Sequence, residues 1–215
     1  MKRFYQRMFG TFIGIFIGIM VSCAVSAVPA VSAATPTELL KQVGDNMVSE
    51  LKAHQSELKS HPDVIHAIVT RTLIPAVDVN RMSGLVVGRQ YWYAATPDQR
   101  HEFVNLFQRL VINTYSNALA SYDDDKLVIL PMRQAPEGRI ASVQTAIVRK
   151  DGRRIGITYE MVKQGDQWKV YDFSVEGVSI VSNYHSQFAD TLAQGGMASL
   201  ISQLQARLPK AGDAE

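Results

Sequence analysis

The chain has 215 residues, 47% of them hydrophobic and 20% charged, with a net charge of +2 and one cysteine. A single cysteine excludes a disulfide framework, so a hydrophobic core must hold the fold. The balance of 22 basic and 20 acidic residues leaves no basic surface of the kind that binds nucleic acid.

Lys2, Arg3 and Arg7 precede an apolar run from Phe9 to Val28, and Val31-Ser32-Ala33 places small residues at the −3 and −1 positions before Ala34. This pattern predicts a signal peptide over 1–33, cleaved after Ala33, and an exported chain. The alternative is a retained anchor, since the run is nearly long enough to span a membrane. Met20-Val21-Ser22-Cys23 is a poor lipidation motif because an aliphatic residue is expected where Met20 stands. Cleavage would remove Cys23 and three cations, leaving 19 basic against 20 acidic residues, a net of −1. The remaining 34–215 is long enough for one domain, or for a helical lobe over 34–95 packed on a second lobe over 96–215.

Thr35, Pro36 and Glu38 open a first helix with a capping box, and Leu40, Val43, Met47, Leu51 and Leu58 give it an apolar stripe ending near His61-Pro62. Val64, Ile65, Ile68, Val69 and Leu73 mark a second helix that Pro75 stops. A short helix follows from Asp78 to Val87, with Gly88 as its end. Thr96, Pro97 and Gln99 repeat the capping grammar before a long amphipathic helix carrying Phe103, Leu106, Phe107, Leu110, Val111, Tyr115, Ala118 and Leu119. Such a stripe must lie on something apolar. It either covers the chain's own sheet or, with the sheet, encloses an apolar ligand.

Beyond Asp123-Asp124-Asp125 the pattern changes to strands: Lys126 to Met132, Ala141 to Lys150, Arg153 to Lys163 and Trp168 to Val175, with turns at Pro136-Glu137-Gly138, Asp151-Gly152 and Gly165-Asp166. Ala141, Val143, Thr145 and Ile147 share one face, as do Ile155, Ile157, Tyr159 and Met161. This is a four-stranded antiparallel meander needing a cover on one side. Ser179 to Leu192 and Met197 to Leu208 return to helix, separated by Gly195-Gly196. The class is α+β.

No catalytic constellation emerges. His54, His61, His66, His101 and His185 are scattered, no phosphate-binding glycine loop or HExxH occurs, and the acid triplet lacks the ligand spacing of a calcium loop. Ser56 and Lys59 match a serine–lysine motif by letters only, on a polar helix face. Neither a metal nor a resident cofactor is expected. Asp78, Asp172 and Glu176 stand among apolar residues; Asp172, with Tyr159, is the candidate for a small enzyme acting on an apolar molecule, although Asp172 could instead pair with Arg81.

Two stretches, LIPAVDVNRMSGLVVGRQYWYAATPDQRHEFVNLFQRLVINTYSNAL and WKVYDFSVEGVSIVSNYHSQFADTL, resemble the periplasmic MlaC family, also called the toluene-tolerance Ttg2 family. The resemblance implies a sheet of NTF2-like or cystatin-like kind wrapped by helices, with an apolar cleft between them and no enzymatic activity. It implies a monomeric periplasmic carrier, with phospholipid as cargo. The carrier meets an outer-membrane lipoprotein–porin complex and an inner-membrane ABC transporter bearing a ring of MCE domains, and so maintains outer-membrane lipid asymmetry. The cleft candidates come from the two facing surfaces: Leu73, Val77, Val79, Met82, Leu85, Val86, Phe103, Phe107, Leu110 and Tyr115 on the helical side, and Val143, Ile147, Ile157, Tyr159, Val175 and Val178 on the sheet side. Each serves equally well as ordinary core.

Overall fold

In a computed structural model, residues 35–208 are described; the expected leader, its cleavage site and Cys23 lie outside them. Helix α1 (Pro36–Ala53) begins at the predicted Thr35 capping box, α2 (Pro62–Thr72) begins at Pro62, and a single 3₁₀ turn (Ile74–Ala76) forms at Pro75. Helix α1 stops at Ala53, short of the expected end, and the polar stretch after it forms turns, yet Leu58 is still buried beside Ile65 and Ile68. Helix α3 (Val79–Val87) is capped by Asp78 and ends at Gly88, whose φ of 79° only glycine adopts at little cost. Tyr91, Trp92 and Tyr93 fall in a short helix of their own, α4 (Arg89–Ala94), ahead of α5 (Pro97–Ala120).

The sheet has five strands, one more than expected: β1 (Lys126–Ile129), β2 (Ile140–Val148), β3 (Arg154–Gln164), β4 (Gln167–Val175) and β5 (Val178–Ser179), paired antiparallel in that order. The extra strand follows from a two-residue turn. Glu176 and Gly177 both have positive φ, 50° and 82°, so Val175 pairs with Val178. Gly177 is thus a hairpin residue rather than a bend between strand and helix. A bulge after Glu160 shifts the β3–β4 register so that Met161 faces Val170 while Tyr159 faces Phe173. The inner face therefore reads Leu127 and Ile129, then Ala141, Val143, Thr145 and Ile147, then Ile155, Ile157, Tyr159 and Met161, then Val170, Phe173 and Val175.

Helix α6 (Ile180–Arg207) is folded back on itself. Thr191 Oγ1 donates to Gln203 Oε1 at 2.7 Å, whereas in a straight helix those residues would stand about 18 Å apart. The reversal is at Gly196, with φ 63° and ψ −155°, which confirms the break expected at the glycine pair. Both arms bury their apolar residues against α5: Tyr184, Phe188, Leu192, Met197, Leu200 and Leu204 share one cluster with Phe103, Leu106 and Phe107. A second cluster joins α1 and α2 to Ile112 and Tyr122, and a third joins Leu40 of α1 to Val143, Met161, Trp168 and Val170 of the sheet.

Gly196→Ala puts a side chain into backbone space reserved for glycine and is expected to lower stability by about 1–3 kcal/mol. Urea denaturation measures it; an unchanged midpoint would show that the reversal does not depend on glycine.

Candidate functional site

The strongest apolar residues of the long helix do not face the sheet. Phe103 stacks on Phe107 (centroids 5.7 Å apart) and meets Phe188 edge-on at 6.2 Å, and Phe107 meets Tyr184 edge-on at 5.3 Å. These residues, with Met82 and Val86, form the closed core between α3, α5 and α6. Helix α5 packs on α2, α3 and α6, while the sheet is approached by α1, α3 and α6. Half of the stripe is thus consumed by α6, whose aromatics were legible in sequence but whose docking partner was not.

A cleft remains between the second half of α5 and the inner face of the sheet. Leu110, Val111 and Tyr115 on α5 are half-buried, and so are Ile147, Ile155, Ile157, Phe173 and Val175 opposite. The two sides meet through Tyr115 and Phe173, edge-to-face at 5.9 Å. These large side chains make an apolar band that is only partly buried, with Leu110, Val111, Tyr115 and Phe173 packed against the edge of the first core cluster. At the other end of the sheet, α1 closes the inner face, leaving Val143 fully buried.

The candidates named from sequence therefore divide. Leu110, Tyr115, Ile147, Ile157, Tyr159 and Val175 stand along the band, half-buried. Val77 is half-buried where the helices join the sheet, bridging to Val170; Val79 is half-buried just beyond it, and Leu73 packs beside the α1–α2 cluster. Met82, Val86, Phe103, Phe107 and Val143 lie in closed cores. Leu85 and Val178 are exposed, at 43% and 58%. Phe173 was missed, although it lies two residues before Val175 on the same strand face; Val111 and Ile155 were missed beside Leu110 and Ile157.

Polar groups in the band are few. Tyr159 keeps part of its surface open, but its phenol lies among closely packed atoms: burial raises its pKa, with a hydrogen bond from Thr145 opposing. Tyr115 is raised by burial and, secondarily, by Tyr184. A separate groove of about 180 Å³, lined by Lys41, Asp45, Leu127 and Ile129, is small beside the roughly 300–1,000 Å³ of ligand pockets.

The pairing required by the enzymatic alternative is absent. Tyr159 is in register with Phe173 on the inner face, so the neighbouring Asp172 points to the other side. Its carboxylate accepts from Ser179 Oγ at 2.6 Å and Val181 N at 3.1 Å, which fixes the start of α6. Arg81, named from sequence as an alternative partner of Asp172, lies over the Tyr171 ring. Asp78 is the cap of α3, accepting from Arg81 N and Gln164 Nε2. The acid triplet is engaged by cations: Lys150 with Asp123 at 2.7 Å, Lys52 with Asp124 at 3.2 Å and Arg149 with Asp125 at 3.7 Å. Among the described residues no cluster of histidine, cysteine and acids is placed to hold a metal.

The family model described as MlaC protein matches residues 41–206. Toluene tolerance protein ttg2D of Pseudomonas putida is 30% identical over 166 residues, covering 77% of each chain. The intermembrane phospholipid transport system binding protein MlaC of Haemophilus influenzae is 26% identical over 179 residues, covering 82% of this chain and 83% of the relative. In three dimensions the chain is similar to a phospholipid-binding protein from Ralstonia solanacearum, solved with a phospholipid, at a TM-score of 0.76 and 26% identity, over 81% of this chain and 97% of that one.

Raised phenol pKa values have a measurable consequence. The neutral phenols of Tyr115 and Tyr159 favour the folded state below their ordinary value of about 10, and that contribution is lost as pH rises through the higher native values. A spectrophotometric titration of the folded protein is expected to finish later than that of the urea-unfolded chain; superimposable curves would contradict the burial of these hydroxyls.

Proposed function

The chain belongs to the MlaC family, and we propose that it is a periplasmic carrier that takes up a phospholipid and ferries it between the outer and inner membranes. The observation that carries this reading is the half-buried apolar band between α5 and the sheet. A diacyl lipid cannot cross water with its tails exposed. At about 0.8 kcal/mol per CH₂, one chain of ~16 carbons would cost roughly 13 kcal/mol in water. A band of large aliphatic and aromatic side chains, only partly buried and nearly free of polar groups, offers acyl chains a place to lie while the headgroup stays in solvent. The Ralstonia relative, similar over most of its length, holds a phospholipid, which supports the same cargo here.

The same magnitude excludes unassisted release into water as a working step, so delivery requires docking at each membrane. The partners proposed are a lipoprotein–porin complex at the outer membrane and an ABC transporter with an MCE-domain ring at the inner membrane, with the predicted signal peptide sending the chain to the periplasm. The lining set proposed is Leu110, Val111, Tyr115, Ile147, Ile155, Ile157, Tyr159, Phe173 and Val175.

Native mass spectrometry of the exported protein, purified without detergent, is expected to show the mass of one phospholipid beyond the polypeptide, released only by solvent or denaturant. A bare polypeptide mass from freshly exported material would overturn the carrier reading. Leu110→Arg and Ile157→Asp, each placing a charge in the band but not in a closed core, are expected to abolish the added mass while retaining the native circular dichroism. Val143→Glu, buried in the third cluster, is expected to unfold the chain instead.

A further inference from the structure

We propose that Tyr159 donates a hydrogen bond to an ester carbonyl of the cargo, so that the cleft selects ester-linked over ether-linked lipid. The selection rests on the carrier role proposed above. The inner face of the sheet is apolar from Leu127 to Val175 except at Thr145 and Tyr159. The two are diagonal neighbours on that face: Thr145 pairs with Ile157, and Tyr159 pairs with Val143. Such an offset is within reach of an aromatic side chain. Thr145 is 1% exposed, while Tyr159 is half-buried, with its phenol enclosed and Thr145 as its hydrogen-bonding neighbour. Among the described residues no other group hydrogen-bonds that phenol. The two hydroxyls form one polar spot on an apolar floor.

That spot can serve a further acceptor. Each hydroxyl carries one proton and its oxygen also accepts. In the empty cleft the phenol can donate to Thr145 Oγ1, which in turn donates to Ile157 O at 3.4 Å, a long contact. With cargo present the direction reverses: Thr145 donates to the phenol oxygen, and the phenol proton turns to the cargo. Only the weak bond to Ile157 is given up. The acceptor has to be neutral, because the inner face carries no charged side chain to balance a phosphate, and an unpaired charge in an enclosed apolar place is costly. An ester carbonyl is neutral and is joined directly to the acyl chain. Bonded at Tyr159, it lets that chain lie along Ile157, Ile147 and Ile155. An ether-linked chain has no carbonyl and leaves the phenol without that acceptor. Tyr115, the other phenol of the cleft, is less enclosed, so water can serve it instead.

Competitive loading tests this. The exported protein is incubated with detergent micelles holding equal amounts of diester and diether phosphatidylethanolamine of the same chain length. The detergent is removed and the cargo is read by native mass spectrometry. Wild-type protein is expected to take up the diester about threefold to tenfold over the diether, the span of one neutral hydrogen bond. Tyr159→Phe, which removes the hydroxyl and keeps the ring, is expected to take up both equally. Tyr93→Phe, which removes an exposed phenol on α4, is expected to keep the wild-type ratio. Equal uptake of the two lipids by the wild type overturns the selection and leaves the carrier role standing. A preference that survives in Tyr159→Phe, or that is lost equally in Tyr93→Phe, overturns the assignment to Tyr159. Uptake of neither lipid by the wild type overturns the carrier role and the selection with it.

Discussion

The structure turns on an imbalance of apolar surface. The inner face of the sheet is hydrophobic from Leu127 across to Val175, and the helices close only part of it. At one end, Leu40 of α1 seals Ala141, Val143, Met161, Trp168 and Val170 into a core. At the other, Ile147, Ile155, Ile157 and Val175 have no such cover and are only partly buried. Covering them would remove more apolar area from water at roughly 25 cal/mol per Å². The fold forgoes that gain because α5 is committed elsewhere.

That commitment is held by specific contacts. The first half of α5 is locked by the Phe103, Phe107, Tyr184 and Phe188 aromatics and by the folded-back arm of α6, while Thr114 Oγ1 and Tyr184 OH, 3.0 Å apart, tie the second half to α6 instead of to the sheet. Besides the contacts of α1 and α6, the helices meet the sheet at a narrow hydrogen-bonded seam. Val77 bridges to Val170, Asp78 N donates to Val170 O at 2.8 Å, Lys169 Nζ donates to Pro75 O, and Gln164 donates to Asp78. This seam also occupies the first half of β4's outer edge, beyond the reach of the short β5, so an edge that would otherwise invite pairing is satisfied.

Local grammar made much of this legible. Thr35 and Thr96 cap as their neighbours predict, Gly88 ends α3, Gly196 reverses α6, and Asp151-Gly152 turns β2 into β3. These signals are local, carried by residues a few positions apart. The misses are non-local or short. Strand β5 is two residues long, too few to show alternation, and α4 is six residues dominated by aromatics with modest helix preference. The division of cleft candidates failed for a different reason. Phe103 and Leu110 belong to the same stripe and are indistinguishable by periodicity; only the position of α6 decides that one is core and the other lining. Hydrophobicity marks a residue as leaving water without naming what will cover it.

A chain with no disulfide in its described part has to combine stability with an unsealed apolar band. Three closed clusters make that possible, since each fully buried large side chain contributes about 1.5–3 kcal/mol. Helix α5 belongs to two of them, through Phe103, Leu106 and Phe107 in one and Ile112 in the other, and turns Leu110, Val111 and Tyr115 toward the remaining space. One continuous helix thus anchors the fold and lines the cleft, separating the residues that hold the structure from those that would hold an acyl chain by only a turn. A cargo that fills the band would add the burial the sheet lacks and should stabilise the whole chain, because Leu110, Val111 and Tyr115 of the lining ride on the same helix that carries the core.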